Sequence, residues 1–226
     1  MPTVGYLDDL KRQADAARAL QHTDAGALAR SAQLADAACF GAATYFSSLA
    51  QQLNVLRPRS KGVFRLDRRH VFEGQQLGEF RADARRKQLH GAEVFDHVVL
   101  RWKLTSGTRL ALMKNFLPDI EQLESRLRRS GAHVNTQAIR HPETAKLQEM
   151  RYELVADFVG AVTVTPEHDA GRMRFELVNL DGFEAVTVEF PAFAVGRSRL
   201  DELARWLMGE PHTFLEDGQA LRRVEA

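Results

Sequence analysis

The chain has 226 residues, 44% of them hydrophobic and 27% charged, with a formal net charge of +1. This composition is typical of a folded protein with its own core and excludes a disordered or low-complexity chain. No stretch approaches the roughly 18 apolar residues of a membrane span, and no leader-like apolar run opens the chain. Cys39 is the single cysteine, which excludes an intrachain disulfide and a cysteine-built zinc site. We expect a cytoplasmic protein without a membrane partner.

The charges are unevenly distributed along the chain. Residues 57–91 carry ten basic and four acidic side chains, whereas residues 151–226 carry eight basic and fourteen acidic ones. Two oppositely charged regions of one chain can dock on each other or bind partners of opposite charge. The near-zero net charge therefore conceals two candidate surfaces, one basic and one acidic.

The first 56 residues contain a helical, heptad-like pattern. Between Leu28 and Leu56, apolar residues follow at alternating intervals of four and three positions, the spacing of a coiled-coil seam. This seam can pack on the rest of the chain, on a second copy or on another protein. The association candidates on it are Leu28, Ala35, Ala42, Phe46, Leu49, Leu53 and Leu56. Cys39 lies on the same seam, so we interpret it as a buried small hydrophobic residue rather than a nucleophile.

The heptad register breaks upstream of this seam. An earlier apolar series from Leu7 to Ala17 has a similar spacing but does not continue into the later register. Thr23 and Asp24 lie in the gap and are good N-cap residues. Two helices in a hairpin, or one long helix that changes phase, would both explain the break. We prefer the hairpin.

A polar, proline-containing link separates the helical pattern from an alternating one. We place a domain boundary at this link, residues 57–62, between a helical segment, 1–56, and an α+β domain, 63–226. Residues 94–105 alternate apolar and polar side chains, as a half-buried strand does. Ser106 and Gly107 would then turn the chain into a hairpin with residues 109–115.

The later strands predict a meander with two helices around it. Residues 150–190 contain three alternating stretches separated by short turns. One helix should cover residues 118–130 and end at Gly131, and a second should begin with Ser198 and Asp201, spaced as a capping box. Both helices should cover the apolar face of the sheet. The sequence therefore predicts an α+β protein, a heptad-patterned helical segment followed by a mainly antiparallel β-sheet domain with two helices packed on it.

Motifs of the common enzyme classes are absent from the sequence. The chain has no GxxxxGK[ST] loop, no GxGxxG after a strand, no HExxH pair and no GxSxG elbow. Glu167, His168 and Asp169 cluster in a predicted turn, where such side chains are typically solvated. Asp96 falls on an apolar strand face, which predicts an arginine partner or a later start of the strand. The sequence favours a non-enzymatic protein and predicts no catalytic residue, metal site or cofactor.

Residues 57–87 combine guanidinium groups with interleaved phenylalanines, a combination suited to a phosphate backbone. The candidate anion-binding or nucleic-acid-binding residues are Arg65, Arg68, Arg69, Arg81, Arg85, Arg86 and Lys87. Two other interpretations stay open. In the first, the segment is an ordinary solvated surface or docks on the acidic region 151–226, within one chain or between two copies. In the second, it binds an acidic protein partner.

Two functional hypotheses follow from these patterns, since no known family is recognised in the sequence. The first is a non-enzymatic interaction or assembly protein that self-associates into a homo-oligomer through its N-terminal helices, with a different protein as the alternative partner. The second is nucleic-acid or anionic-ligand binding through the basic segment 57–87, in which nucleic acid is less favoured than self-association.

Overall fold

The computed structural model describes the backbone of residues 6–89 and 91–225, with side chains except for those of residues 6–10, Arg12 and 14–25. Within this part, the chain forms three α-helices, a short 3₁₀ turn and eleven strands. The helices are α1 (Tyr6–Leu56), α2 (Leu117–Ser130) and α3 (Arg197–Leu207), and the 3₁₀ turn is Ala192–Ala194. The strands are β1 (Phe64–Arg65), β2 (Val71–Phe72), β3 (Gln76–Leu89), β4 (Ala92–Thr105), β5 (Arg109–Lys114), β6 (Val134–Arg140), β7 (Leu147–Val155), β8 (Phe158–Glu167), β9 (Arg172–Val178), β10 (Glu184–Pro191) and β11 (Gln219–Glu225).

Antiparallel pairing joins these strands into two sheets and a short ribbon. The large sheet has the order β11-β10-β9-β8-β4-β3, the small sheet has the order β5-β7-β6, and β1 pairs with β2. Every pairing between the described strands is antiparallel. The predicted α+β architecture, an N-terminal helix followed by mainly antiparallel sheet with two further helices, is confirmed.

α1 is one continuous helix, so the preferred hairpin is wrong and the alternative of a single long helix is right. Thr23 and Asp24 lie inside the helix rather than at an end. The residues on both sides of them are rich in alanine, which favours continuation of the helix over a break. The register break is therefore a change of phase along one helix.

α1 lies across the large sheet, over β3, β4, β8 and β9. Two sets of hydrogen bonds attach it there. The side chain of Asn54 donates to the carbonyl of Phe80 at 2.9 Å and accepts from the N–H of Phe80 at 2.8 Å. Asp36 Oδ1 accepts from the N–H of Phe95 at 2.7 Å. The helix is thus held to the edge pair β3–β4 at both ends of its buried stretch.

The large sheet buries one of its faces because alternate residues of a strand point to the same side. Leu100 and Trp102 of β4 and Phe175 of β9 are at most 2% exposed beneath the helices. α3 packs beside α1 and contributes Leu203 and Trp206 to the same core. The core therefore lies between the large sheet and the pair α1 and α3.

The predicted hairpin between residues 94–105 and 109–115 is wrong. β4 pairs with β3 and β8, whereas β5 pairs with β7 in the small sheet. The predicted first strand of the meander divides in the same way, into β7 and β8. Both divisions occur where Asp157 Oδ1 accepts the N–H groups of Ser106 and Gly107 at 2.9 and 3.0 Å. At each of these two places the chain passes from one sheet to the other, and the two crossings lie side by side. The observed meander consists of β8, β9 and β10.

The two later helices form close to their predicted positions. α2 ends at Gly131, whose φ of 68° is the left-handed conformation of a helix C-cap. α3 begins after Gly196 with no side-chain cap, so the predicted capping box is wrong. Asp201 instead accepts a hydrogen bond from the hydroxyl of Tyr45 on α1 at 2.7 Å. α3 packs beside α1 and reaches the large sheet at β10, where the guanidinium of Arg199 lies 4.6 Å from the centre of the Phe190 ring, whereas α2 contacts β5 of the small sheet as well as β8.

Candidate anion-binding cleft

The hairpin β1–β2 presents a basic loop, residues 66–70, that is organised by Asp67. Its Oδ1 accepts the backbone N–H groups of Arg69 and His70 at 2.8 and 2.9 Å, and Lys114 Nζ donates to Oδ2 at 2.9 Å. Burial alone would raise the pKa of Asp67, but the hydrogen bond from Lys114 and those from the loop hold it well below its usual range. The charged carboxylate therefore fixes a loop whose tip carries Arg68 and Arg69.

A cleft of about 700 Å³ lies between this loop, β5 and α2. Leu66, Leu112 and Leu123, which are buried in the core, contribute to its walls. The charged side chains around it are Arg65, Asp67, Arg68, Arg69, Lys114, Asp119 and Arg126. Five cationic groups against two carboxylates give the cleft a positive electrostatic potential.

Three guanidinium groups of this cleft have no acidic partner in the part of the chain that the structure describes. Among the described residues, no carboxylate lies within 4.0 Å of the charged groups of Arg65, Arg68 and Arg69. Lys114, in contrast, is held by Asp67, and Arg126 donates to the carbonyl of Leu66 at 3.0 Å. Because a guanidinium group binds phosphate or carboxylate oxygens through paired N–H donors, the arrangement is suited to an anion.

The other basic candidates lie on a different surface. Arg81, Arg85, Arg86 and Lys87 belong to β3, which is an edge strand of the large sheet. Arg86 lies 3.8 Å from Glu93 and Lys87 lies 3.1 Å from Asp96. Both carboxylates come from the neighbouring strand β4 and not from the acidic region 151–226. The predicted basic segment is therefore two surfaces, and residues 65–69 are the part that faces the cleft.

A smaller cavity of about 290 Å³ shares Arg65 and Arg126 with the cleft. Glu184 lines it and is 9% exposed, and its Oε1 has no hydrogen-bond partner among the described residues. Its Oε2 lies 3.4 Å from Arg223. Burial raises the pKa of the Glu184 carboxyl, and the nearby carboxylates act in the same direction against the guanidinium of Arg223. The basic cleft thus borders a buried acidic group.

The seam candidates for association divide by burial. Ala35, Ala42, Phe46 and Leu53 are buried against the chain's own sheet, and Leu49 is partly buried there. Leu28 and Leu56, at the two ends of the seam, are 48% and 69% exposed. The middle of the seam is therefore occupied by intramolecular packing.

Three further side chains singled out by sequence have structural roles. His168 is 4% exposed, with Nε2 2.9 Å from the carbonyl oxygen of Phe95, so the prediction of a solvated side chain is wrong. Asp96 lies at a β-bulge and interacts with Lys87 and His97 rather than with an arginine. Cys39 is fully buried as predicted, and burial raises the pKa of its thiol to about 12.

Sequence analysis missed the residues that complete the cleft. Lys114 follows the basic loop by more than forty positions and Arg126 follows it by more than fifty. Neither stands in a charged cluster with the loop, and their proximity depends on how β5 and α2 pack against β1–β2. The one local signal was Asp67, whose position two and three residues before the N–H groups it accepts is typical of an Asx turn.

Comparison with known protein families, with curated proteins and with solved structures finds no match to this chain. None of the helices in the described ranges combines the length and the hydropathy of a membrane-crossing helix. The functional argument therefore rests on the cleft itself.

Proposed function

We propose that this protein binds a phosphate-bearing anionic ligand in the cleft between β1–β2, β5 and α2. The observation that supports this proposal is the convergence of Arg65, Arg68 and Arg69 on one cavity. These three guanidinium groups have no acidic partner among the residues with described side chains. A surface arginine ordinarily lowers its free energy through a nearby carboxylate or through water. Several unpaired guanidinium groups at one concave site instead form a multidentate anion receptor.

The shape of the site favours a compact anionic group over an extended polymer. A nucleic-acid groove would follow the backbone over several nucleotides and would offer aromatic rings for stacking. Here the basic residues of β3 lie on a separate surface, and two of them are engaged by β4 carboxylates. The proposal therefore concerns a phosphate group, and nucleic acid remains the less favoured ligand.

The experiment compares the two halves of the basic segment. Inorganic pyrophosphate is titrated calorimetrically into the wild type, into Arg68→Gln/Arg69→Gln, and into Arg81→Gln/Arg85→Gln as a control of equal charge change. We expect the cleft variant to bind at least about tenfold more weakly and the edge-strand variant to bind as the wild type does. The wild-type affinity should fall when salt is raised from about 50 to about 200 mM.

Two results would overturn the proposal. One is a wild type that does not bind pyrophosphate at low salt. The other is an equal loss of affinity in both double variants, because the ligand would then respond to net charge rather than to the cleft. Circular dichroism of each variant establishes that the fold is retained.

Self-association through residues 1–56 remains a second proposal with a narrower basis. Of the seam candidates, Leu28 and Leu56 are the exposed ones, and they are what the seam itself still offers to a second copy. Light scattering of the wild type and of Leu28→Ser/Leu56→Ser tests it. A dimer that the double substitution dissociates would support it, and a monomeric wild type at micromolar concentration would exclude it. The cytoplasmic location expected from the sequence stays a prediction.

A further inference from the structure

Three exposed apolar side chains lie close together at the connection between β5 and α2. Met113 is 63% exposed, Phe116 is 61% exposed and Leu117 is 59% exposed. Met113 and Lys114 line the basic cleft, and so does Asp119 in the first turn of α2, so the connection between them lies at the rim of the cleft. An apolar rim therefore borders a cationic cavity.

Such a rim requires an explanation because the three side chains leave apolar area in water. Single exposed hydrophobic residues are ordinary, but a cluster next to a binding site indicates a surface that is covered in use. Binding at a lipid surface depends on two signals that are both present here. Apolar side chains enter the boundary of the acyl chains, and cationic side chains bind the anionic headgroups.

We propose that the cleft docks on an anionic lipid surface, with Met113, Phe116 and Leu117 inserted and Arg65, Arg68 and Arg69 on lipid phosphates. This inference rests on the proposed function and names the source of the phosphate. A membrane-spanning helix is not needed for binding of this kind.

Charge complementarity favours a lipid surface over a second copy of the chain. Two cleft rims facing each other would bring two sets of unpaired guanidinium groups together, and like charges in an interface oppose association. An anionic bilayer instead offers both negative charge and apolar volume, and the cleft and its rim carry the complementary cationic and apolar side chains next to each other.

The experiment measures sedimentation of the full chain with vesicles. Phosphatidylcholine vesicles are compared with vesicles that contain about 30% phosphatidylserine, for the wild type and for Phe116→Ser/Leu117→Ser, two rim residues that do not line the cleft. The control variant is Phe193→Ser, which removes a 79% exposed aromatic side chain from the 3₁₀ turn, a residue that does not line the cleft. All three proteins are also titrated with pyrophosphate.

We expect the wild type and Phe193→Ser to bind the anionic vesicles and not the neutral ones. The rim variant Phe116→Ser/Leu117→Ser should partition at least about tenfold more weakly, with unchanged affinity for pyrophosphate. As a second measurement, Phe116→Trp should show a blue-shifted fluorescence emission when anionic vesicles are added.

The outcomes separate this inference from the proposed function. Pyrophosphate binding without vesicle binding overturns the lipid inference and leaves the proposed function standing. Vesicle binding that the double rim substitution does not weaken also overturns it, because charge alone would then suffice. A wild type that binds neither pyrophosphate nor anionic vesicles overturns both proposals.

Discussion

The indole ring of Trp102 lies directly against the backbone of Gly160, its cross-strand partner between β4 and β8. A Cβ atom built on Gly160 would overlap the ring, so the close approach requires a residue without a side chain. Trp102 is 2% exposed and stacks on Phe80 with ring centroids 5.9 Å apart. The ring is therefore enclosed and has no free volume into which it can move.

Gly160→Ala should destabilise the protein because the added methyl group overpacks the core at Trp102. We expect a loss of about 2–3 kcal/mol in the free energy of unfolding, measured by urea denaturation with tryptophan fluorescence. Gly78→Ala is the matched control, since a Cβ at this strand glycine meets no atom within 4 Å. Similar stabilities for the two variants would contradict the packing argument.

Asp67→Asn should loosen the basic loop and remove a source of acid sensitivity. The pKa of Asp67 is held below its unfolded value, so its stabilising effect is complete above the unfolded pKa and is lost as the pH falls toward the folded one. We expect the variant to be less stable by about 2 kcal/mol at neutral pH, as for loss of hydrogen bonds to a charged group. The difference from the wild type should shrink in acid.

Denaturation curves at about pH 7 and about pH 3 measure both effects. Asp119→Asn serves as the control, because Asp119 also lines the cleft but is exposed. A constant difference between Asp67→Asn and the wild type at the two pH values would contradict the assignment.

Glu184→Gln should have the opposite dependence on pH. The pKa of Glu184 is raised in the folded state, first by burial, so the native protein binds more protons than the unfolded chain above the ordinary pKa of a glutamate. Stability contributed by the protonated form is therefore lost as the pH rises through the folded pKa. The melting temperature of the glutamine variant should therefore rise relative to that of the wild type as the pH is raised from about 5 to about 8. Glu189→Gln is the control, a similarly buried glutamate on β10 that Arg172 and Arg174 engage.

The basic side chains of β3 should protect a free sheet edge. β3 is 14 residues long and one of its edges is not paired within the described sheet, which makes it a template for another strand. Replacing Arg85, Arg86 and Lys87 by threonine should produce aggregation at concentrations where the wild type stays clear. Light scattering over time measures it. The same substitution of Arg128, Lys146 and Arg205, which lie outside the strands, should leave the protein clear. Aggregation of both variants would point to net charge instead.

The elements that sequence predicts well are those with a local cause. α2 follows from apolar spacing and from Gly131, and the meander of β8, β9 and β10 follows from alternation and turn residues. The elements predicted wrongly depend on distant partners. Ser106 and Gly107 look like a hairpin turn, yet their N–H groups bond to Asp157, some fifty residues later, and the chain leaves the sheet.

The cleft shows the same division between local and distant causes. Arg65, Arg68 and Arg69 stand close together in sequence and were predicted, whereas Lys114 and Arg126 reach the site through packing of β5 and α2. The spacing of the seam was real, but it could not show that the sheet of the same chain covers Ala42 and Phe46. Periodicity identifies a buried face and does not identify what buries it.

The two adjacent crossings of the chain, from β4 to β5 and from β7 to β8, have a thermodynamic consequence. β5, a wall of the cleft, continues from β4, and β7, its partner, continues into β8, so cleft and core are one hydrogen-bonded unit. We therefore expect the cleft and the core to unfold together as one cooperative unit. A ligand that occupies the cleft at a hundredfold excess over its Kd would therefore stabilise the core as well, by about 2.7 kcal/mol. The buried indole of Trp102 becomes a reporter of events at a surface that it does not touch.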